Sequence, residues 1–516
     1  MMKRWCASAL VALGLLASCD SVSNDYLSLT AGQVGVYTTS KAGARLSYST
    51  TNLDATKPKK VDLTVDTKRA YQKMIGFGGA FTDAAAINIY KLTPPLQQKL
   101  LDAYYSTDGI QYSVGRIPIA SADFSESIYS YNDNVDDFEM KHFSIDVDRA
   151  PNSNKLNLIK RAIAMTSRPL SIFASSWAPP VWMTKQNKTT NCNLKGKPGD
   201  KYWKALALYY IKALEAFEAE GIKMWGLTVQ NEPGKPLITP NEWQSLRLTP
   251  EEERDFIKLD LGPMLKARFP EIKLIAHDDN KADLPDRMKV YEDPEARKYI
   301  DGVGIHWYKN LDFFFFELGG DWDKLEAFQK KFPDIFLFAT ESCEGYLPAA
   351  LGTGAGVKIQ EPEQGWYRAE NIARDAIEDI NMWTAGYTDW NIALDTNGGP
   401  NWAKNFVDAP ILVDEKSGTE FYKQPMYYYF GHLSKFIPAG SVRIELTQTS
   451  NNNWHKIHKV AFLTPEQRVV VVTMNRNNDP RSFTVQGPTG QTVQVSLPGR
   501  AMQTIVFPAP ASAKQA

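Results

Sequence analysis

The stretch Thr228-Val229-Gln230-Asn231-Glu232-Pro233 follows the apolar run Lys223-Met224-Trp225-Gly226-Leu227. A short apolar run that ends at turn residues is typical of a buried strand. The chain therefore forms a strand, presents an amide and a carboxyl at its end, and turns at Pro233. A parallel α/β barrel presents functional side chains in this way, at the C-terminal ends of its strands.

A second stretch has the same organisation. Residues 335–339 (IFLFA) form another apolar run, and Thr340, Glu341 and Ser342 follow it directly. Glu341 lies 109 residues after Glu232. At about 35–45 residues per strand–helix unit, this spacing corresponds to about three units of a barrel. Strands that far apart can face each other across the barrel mouth, so the two carboxyls are candidates for one site.

Two facing carboxyls are the arrangement that cleaves a glycosidic bond. One is protonated and assists departure of the leaving oxygen, and the other is ionised and attacks the anomeric carbon or activates water. A single glutamate after a strand is more often a solvated loop residue or a salt-bridge partner. The spacing alone therefore leaves both interpretations open.

Many segments of the chain resemble glycoside hydrolase family 30, and within it the glucosylceramidase branch. Residues 228–233 and 338–343 (FATESC) are similar to the acid/base and nucleophile segments of that family. The resemblance covers about residues 35–507. The other similar segments are GFGGAFTDAAA (76–86), IASADFS (119–125), ASSW (174–177), HWY (306–308), YTDWN (387–391), GGPNW (398–402), FYKQPM (421–426) and GHLSKFIP (431–438).

The resemblance implies a retaining β-glycoside hydrolase that cleaves a terminal β-linked glucose by double displacement. Glu341 would be the nucleophile and Glu232 the general acid/base, with the two carboxyl groups about 5–5.5 Å apart. The implied substrate is glucosylceramide or a simpler β-glucoside, which would place the chain in sphingolipid or carbohydrate metabolism. Acid/base and covalent catalysis need only side chains, so no cofactor is implied.

The resemblance also assigns residues around the two carboxyls. Asn231 would hydrogen-bond the sugar 2-hydroxyl, while Asp123 and Trp177 would bind the glycone. The other residues implied to contact the substrate are Trp390, Asn401 and, on the aglycone side, Trp243. The residues implied to support the catalytic carboxyls are Arg116, Tyr308 and His306. Each assignment has an alternative. Asn231 could be a turn residue and Arg116 part of a structural ion pair. Tyr308 and His306 could be ordinary core side chains.

Two loops depart from the pattern of the family, at residues 233–249 and 345–366, so the aglycone stays open. Within the family, β-1,6-glucan, β-xylosides or β-fucosides are alternative substrates. A surface sugar-binding lipoprotein without catalysis is a further alternative, but such a binder has no need for both Glu232 and Glu341. A structural envelope lipoprotein explains neither carboxyl.

Other motifs carry less information. Gly76-Phe77-Gly78-Gly79 lacks the glycine spacing and the Lys-Ser/Thr ending of a phosphate-binding loop, so we expect a tight turn that enters the barrel. His277-Asp278-Asp279 suggests a metal, but no further ligands recur at usable spacing and there is no His-Glu-x-x-His. We therefore predict no metal site.

Strand patterns at both ends of the chain predict a second domain. Short alternating runs occur in residues 34–72 and 440–508, and they are typical of antiparallel strands. Between them, strands alternate with helical stretches such as residues 206–220. We predict an α/β fold: a (β/α)8 TIM barrel at 73–434 and an adjoining β-sandwich built from 34–72 and 435–508, which is also the architecture of the family.

The net charge and the N-terminal segment bear on which partners the protein binds and where it is located. The formal charge of −1 over 516 residues gives no field that would attract nucleic acid. Lys3 and Arg4 precede an apolar run that is too short to span a bilayer. Residues 16–19 (LASC) resemble a bacterial lipoprotein signal, in which Cys19 becomes the lipidated first residue. The alternative is an ordinary cleaved signal peptide with an incidental cysteine.

These features predict residues 1–19 as a signal peptide and the polar residues 20–33 as a flexible tether. The protein would then be exported and anchored in a bacterial cell envelope, on its periplasmic or surface face. Cys192 and Cys343 are the remaining cysteines. Two cysteines of an exported chain can pair, but their positions favour free thiols.

Overall fold

The computed structural model describes residues 22–55, 60–234, 243–309, 320–345, 362–414, 416–449 and 454–509. The predicted signal peptide with Cys19, and most of the two divergent loops, lie outside these residues. Three strands precede the barrel in the chain: β1 (Gln33–Ser40), β2 (Ser47–Asn52) and β3 (Leu63–Lys73).

Eight parallel strands close into a barrel, which confirms the predicted fold class. Most of their side chains are buried, as expected for a parallel sheet with helices outside it. The strands, in the order in which they pair around the barrel, are β4 (Gly76–Ala80), β5 (Val114–Ile119), β6 (Ser171–Ser176), β7 (Met224–Thr228), β8 (Lys273–Asn280), β9 (Gly302–His306), β10 (Phe336–Ala339) and β11 (Thr384–Asn391).

The first barrel strand corrects one expectation. Residues 76–79 were expected to form a tight turn, but they belong to β4. A Cβ atom on Gly78 would meet the carbonyl oxygen of Val114 at 1.8 Å. The glycines therefore allow β4 and β5 to approach closely, which is a second common reason for glycine within a strand.

Helices alternate with the barrel strands and cover them. The predicted helix at 206–220 is α4, which begins earlier because Asp200 caps it: its carboxylate accepts hydrogen bonds from the N–H groups of Tyr202 and Trp203. The helices are α1 (Asp83–Lys91), α2 (Pro94–Tyr105), α3 (Lys155–Met165), α4 (Lys201–Ala219), α5 (Pro250–Phe256), α6 (Gly262–Arg268), α7 (Leu284–Glu292), α8 (Pro294–Arg297), α9 (Trp322–Lys331), α10 (Pro362–Asn381) and α11 (Pro425–Ser434).

The strands after the barrel complete two sheets. A small sheet beside the barrel contains β12 (Leu394–Asp395), β13 (Ile411–Val413) and β14 (Phe421–Lys423). The remaining strands are β15 (Val442–Gln448), β16 (Ile457–Leu463), β17 (Val469–Asn475), β18 (Arg481–Gln486), β19 (Thr492–Leu497) and β20 (Ala501–Val506).

Strands from both chain ends form the sandwich. Its nine strands pair in the order β19-β18-β3-β15-β16-β17-β20-β1-β2, so β1 to β3 join the sheet of the C-terminal strands. The sheet curves until its parts face each other, and Val495 of β19 shares an apolar core with Val471 of β17 and Ile505 of β20. The residue limits given above for the two domains stay predictions.

The segment before β1 corrects the predicted tether. Val22, Tyr26 and Leu29 are buried, and Asp25–Ser28 forms a 3-10 turn. The ring of Tyr26 packs edge-on against Phe436, with ring centroids 5.4 Å apart. From Val22 onward the segment is therefore packed against the protein rather than a flexible tether, because burial of these apolar side chains favours the docked form.

Two further expectations concern membranes and thiols. Within the described ranges, none of the helices combines the length and the hydropathy that a membrane crossing needs. Cys192 and Cys343 are both buried and free. Their placement agrees with the expectation of free thiols.

Candidate active site

Glu232 lies beyond the end of β7, and the backbone of both neighbouring strands holds it in place. Its N–H donates to the carbonyl of Asp278 at 3.0 Å, and the N–H of Asn231 donates to the carbonyl of Ser176 at 3.0 Å. The φ angle of Glu232 is 44°, a left-handed conformation that costs a non-glycine residue about 1–2 kcal/mol. These bonds maintain that conformation and direct the carboxyl into the mouth of the barrel.

Glu341 lies beyond the end of β10 in an equivalent setting. The N–H of Thr340 donates to the carbonyl of Ile305 at 3.1 Å, and the carbonyl of Ser342 accepts from the N–H of Trp390 at 2.7 Å. The residues on both sides of Glu341 are thus attached to the flanking strands β9 and β11. The position of its side chain is determined by the barrel rather than by a free loop.

The two carboxyl groups are close enough for direct chemistry on one carbon. Carboxylate oxygens of Glu232 and Glu341 and a ring nitrogen of His306 all lie within 4.8 Å of one another. Retaining glycosidases hold their carboxyl groups about 5–5.5 Å apart, whereas inverting enzymes need about 6.5–9.5 Å for an intervening water. The separation therefore fits attack by a carboxylate and not attack by a water held between the two.

Arg116 connects the groups around Glu341. Its fully buried guanidinium donates to Oε2 of Glu341, to Oδ1 of Asn231 at 2.9 Å and to Oδ2 of Asp278 at 2.9 Å. Burial alone would lower the pKa of Arg116, but Asp278 and Glu341 raise it above its ordinary value. The guanidinium stays charged and stabilises a negative charge on Glu341.

His306 connects Glu232 to the same network. Its Nδ1 lies 3.2 Å from Oε1 of Glu232, and its Nε2 lies 3.1 Å from Oδ1 of Asp278. Burial alone would lower the pKa of His306, but the charge of Glu341 and the bonds to Asp278 and Glu232 raise it to about 10. At neutral pH both ring nitrogens are therefore protonated and donate.

The pKa of Glu232 is raised above its ordinary value. Burial is the largest cause, and the nearby charges of Glu341 and Asp279 act in the same direction, while the bond from His306 opposes them. A glutamate of this kind retains its proton at a higher pH than an exposed one, as a general acid requires.

Tyr308 completes the surroundings of Glu341. Its hydroxyl donates to Oε1 of Glu341 at 2.9 Å and lies 3.3 Å from Sγ of Cys343. Burial raises the pKa of Tyr308 well above its ordinary value, so the hydroxyl keeps its proton. Each oxygen of Glu341 thus accepts one hydrogen bond, from Tyr308 and from Arg116.

The predicted sugar-binding residues come together next to this network. The rings of Trp177 and Trp390 stack with centroids 5.0 Å apart and an interplanar angle of 14°. Asp123 accepts a hydrogen bond from Nδ2 of Asn401 at 3.2 Å and lies 3.4 Å from Nδ2 of Asn405. Burial, and secondarily the charge of Glu341, raise the pKa of Asp123 to about 7.

Trp243 lies where a divergent loop rejoins the described structure. It is half-buried and packs against the main apolar core. The next residue, Gln244, donates to Oγ of Ser121 at 2.7 Å and accepts from Nε1 of Trp402 at 2.9 Å. The loop base is therefore anchored beside Asp123, whereas residues 235–242 lie outside the described ranges.

Asp278 and Asn405 belong to the site but were not predicted from the sequence as site residues. Asp278 was considered only as part of a metal motif, yet its buried carboxylate pairs with both Arg116 and His306. Arg116 and His306 hold the pKa of Asp278 well below its usual range, against the opposing effect of burial. Its signal was present: three polar residues in succession at the end of an apolar strand, where a barrel places its functional groups.

The site also contains potential metal ligands. Among the described residues, Glu232, His306 and Glu341 form the group whose donor atoms lie close enough to surround an ion. However, His306 has a pKa of about 10 and donates from both nitrogens, so it has no free lone pair for a metal. The donor set fits proton transfer better than metal binding.

A carboxyl pair at the mouth of a parallel barrel, next to stacked tryptophans, defines a glycoside hydrolase. Two family models match the chain: the glycosyl hydrolase family 30 TIM-barrel domain at residues 74–437 and the glycosyl hydrolase family 30 beta sandwich domain at residues 440–505. The chain belongs to glycosyl hydrolase family 30.

Relatives and solved structures agree with this assignment. The chain is 37% identical over 506 residues to lysosomal acid glucosylceramidase of Mus musculus, and the alignment covers 97% of this chain and 94% of the relative. An endo-beta1,6-glucanase structure has a TM-score of 0.79 at 26% identity, covering 93% of this chain and all of the other. SrfJ from Salmonella typhimurium shares the fold, with a TM-score of 0.81 at 23% identity over 93% of this chain and 100% of that chain.

Proposed function

We propose that this glycoside hydrolase cleaves a terminal β-linked glucose with retention of configuration, in the manner of a glucosylceramidase. The observation that carries the proposal is the separation of Glu232 and Glu341, whose carboxylate oxygens lie within 4.8 Å. The relationship to a mouse glucosylceramidase over nearly the whole chain supports glucose as the glycone.

The first step uses Glu341 as the nucleophile. One carboxylate oxygen of Glu341 attacks the anomeric carbon while the bond from that carbon to the aglycone oxygen breaks. The proton of Glu232 goes to the departing oxygen, which leaves as an alcohol. Arg116 and Tyr308 orient the attacking carboxylate through one hydrogen bond to each of its oxygens.

The second step reverses the role of Glu232. Esterification removes the negative charge of Glu341, and with it one cause of the raised pKa of Glu232. Glu232 then remains ionised opposite protonated His306 and takes a proton from an incoming water. The water oxygen bonds to the anomeric carbon while the ester bond from that carbon to Glu341 breaks, which releases glucose and restores the Glu341 carboxylate.

The surrounding residues bind the glycone. Trp177 and Trp390 provide a flat aromatic wall, and Asp123 with Asn401 provides hydrogen-bonding groups for sugar hydroxyls. Asn231 is held by Arg116, which directs its amide nitrogen away from the guanidinium and makes it available for the sugar 2-hydroxyl. Trp243 is the proposed wall of the aglycone side.

Location remains part of the proposal. We infer from residues 16–19 that the protein is exported and carries lipid on Cys19, which anchors it in a bacterial envelope. Glycolipid glucosides such as glucosylceramide then become candidate substrates, and sphingolipid breakdown a candidate process. The relationship to an endo-beta1,6-glucanase makes β-1,6-glucan the second candidate.

The test compares the chain from Asp20 onward with its Glu341→Gln variant. Both are assayed on 4-methylumbelliferyl β-glucoside, β-xyloside and β-fucoside, on β-1,6-glucan, and on glucosylceramide in detergent. Cleavage of the β-glucoside by the wild type and not by the variant is expected. Preference for β-1,6-glucan or β-xyloside would show that the proposed β-glucoside substrate is wrong. Equal inactivity of both proteins would favour a sugar-binding function.

A further inference from the structure

The chain enters the described structure at the end of the barrel opposite the catalytic carboxyls. The N–H of Val22 donates to the carbonyl of Asp108 at 2.7 Å. Asp108 lies in the loop between α2 and β5, at the N-terminal end of β5. Glu232 and Glu341 lie beyond the C-terminal ends of their strands. The six residues of β5 alone span about 20 Å between these two ends.

The segment after Val22 is attached firmly to this end. The hydroxyl of Tyr37 donates to the carbonyl of Ser23 at 2.9 Å, and Tyr26 packs against Phe436. Phe436 follows the end of α11, which is at the same end of the barrel. The segment therefore has no free length with which to reach around to the mouth.

The predicted lipid anchor is close to this end in sequence. Three residue steps separate Cys19 from Val22, and a fully extended chain covers at most about 11 Å in that distance. A bilayer that holds a lipid on Cys19 must consequently lie next to Val22 and Asp108.

The surface here has the chemistry of a membrane contact. Leu27 is 54% exposed, and it lines a cavity together with Arg168, Arg468 and Glu466. Arg468 donates to the carbonyl of Leu27 at 3.3 Å, so an exposed apolar side chain lies directly beside a guanidinium. Phosphate head groups attract the guanidinium of Arg468, and the outer acyl region accepts the leucine. Arg168 has a structural role here, because its guanidinium donates to the carbonyls of Ser434 and Lys435.

We propose that this end of the barrel, around Leu27 and Arg468, rests on the bilayer that carries the Cys19 lipid, and that the catalytic mouth opens away from that bilayer. The proposal rests on the proposed lipidation and glycosidase function. It narrows the substrate class to glucosides that reach the mouth from the aqueous side: glycolipids in micelles or in a facing membrane stay candidate substrates, and those in the leaflet that holds the anchor are excluded.

The first experiment measures orientation without using activity. The full lipidated chain with Leu27→Cys, and separately with Val135→Cys, is labelled with bimane and reconstituted in phosphatidylcholine/phosphatidylglycerol vesicles that contain a head-group nitroxide lipid. Val135 is 75% exposed in the loop after β5, on the mouth side, and the native Cys192 and Cys343 are buried. We expect at least fivefold stronger quenching at position 27. Equal or stronger quenching at position 135, or a chain that does not bind the vesicles, overturns the proposal.

The second experiment relaxes the anchor. A 40-residue Gly/Ser insertion after Asp20 adds a mean reach of about 35 Å. For a glucolipid that is cleaved in detergent, we expect at least tenfold faster turnover in the same vesicle by the insertion variant. Turnover of a soluble β-glucoside should be equal in both proteins. If both proteins cleave the glucolipid of their own vesicle at the same rate, the proposed orientation is wrong. If neither protein cleaves the soluble β-glucoside, the proposed function is contradicted, and the quenching experiment alone decides the orientation.

Discussion

Asp278 accepts a hydrogen bond from Arg116 over 2.9 Å, and both side chains are completely buried. The other oxygen of Asp278 pairs with His306. One buried carboxylate therefore holds both the cation beside Glu341 and the cation beside Glu232. Removal of one member of such a buried network leaves the others with uncompensated charge.

Asp278→Asn should lower kcat/KM about 10²-fold, comparable with the loss of one preorganised electrostatic contact. The amide keeps a hydrogen-bonding oxygen but removes a charge that raises the pKa of His306. Glu341 and Glu232 still hold the proton on His306, so loss of the Asp278 charge makes the surroundings of Glu232 more positive, and the basic limb of the pH–rate profile should move to lower pH. Measurement of kcat/KM from pH 4 to 9 checks this shift. Asp286→Asn, on the exposed face of α7, is the control, and an unmoved limb in Asp278→Asn contradicts the prediction.

Substitution of the two glutamates should separate their roles by product stereochemistry. Glu232→Ala should lose about 10²–10⁴-fold activity on substrates that need protonation of the leaving group, and little in the first step on a dinitrophenyl glucoside. Azide should then produce β-glucosyl azide from Glu232→Ala and α-glucosyl azide from Glu341→Ala, as seen by NMR. The same anomer from both variants would contradict the assignment.

Asp123→Asn should stabilise the free protein at alkaline pH while it impairs sugar binding. Burial raises the pKa of Asp123 from its ordinary value of 3.8 to about 7 in the folded protein. Ionisation of the buried carboxyl therefore reduces stability progressively as pH rises from about 4 to 7, by up to about 4 kcal/mol at pH 8. Thermal unfolding should show a higher Tm for the variant at pH 8 and nearly equal values at pH 4. The KM for a β-glucoside should rise, and an equal difference in Tm at both pH values would refute the linkage.

His432 should govern part of the acid sensitivity of the junction between the two domains. Its ring nitrogens lie 2.8 Å from Oγ1 of Thr504 and 2.9 Å from Oγ1 of Thr39, and burial lowers its pKa to about 3. Its neutral form is favoured on folding, so this stability is present above about pH 6.5 and is lost as pH falls toward 3. His432→Gln should unfold more easily at pH 7 but lose less stability between pH 7 and 4, as measured by urea unfolding. The exposed His142, substituted in the same way, should leave both quantities unchanged.

The barrel, and the placing of Glu232 and Glu341 at two of its strand ends, were predictable from the sequence because their signals are local. An apolar run followed by a polar residue and a turn reports a strand end, whatever the rest of the chain does. The same reasoning failed at Gly76–Ala80, where the need for glycine comes from the carbonyl of Val114 on the next strand. It also failed before β1, where composition suggested a tether but Tyr26 finds a partner in Phe436, about 400 residues later.

The sequence by itself determined which strands carry a carboxyl at their ends, the alternation of strands and helices, and the family resemblance that assigned roles to both glutamates. Only the tertiary structure decided how those ends meet. Closure of the barrel brings Arg116 to Asp278, 162 positions later. An irregular register between β8 and β9, with positive φ angles at His277 and Asp278, accompanies the approach of Asp278 to His306. Contacts of this kind depend on strand register around a closed barrel, which is a property of all eight strands together and of no local stretch.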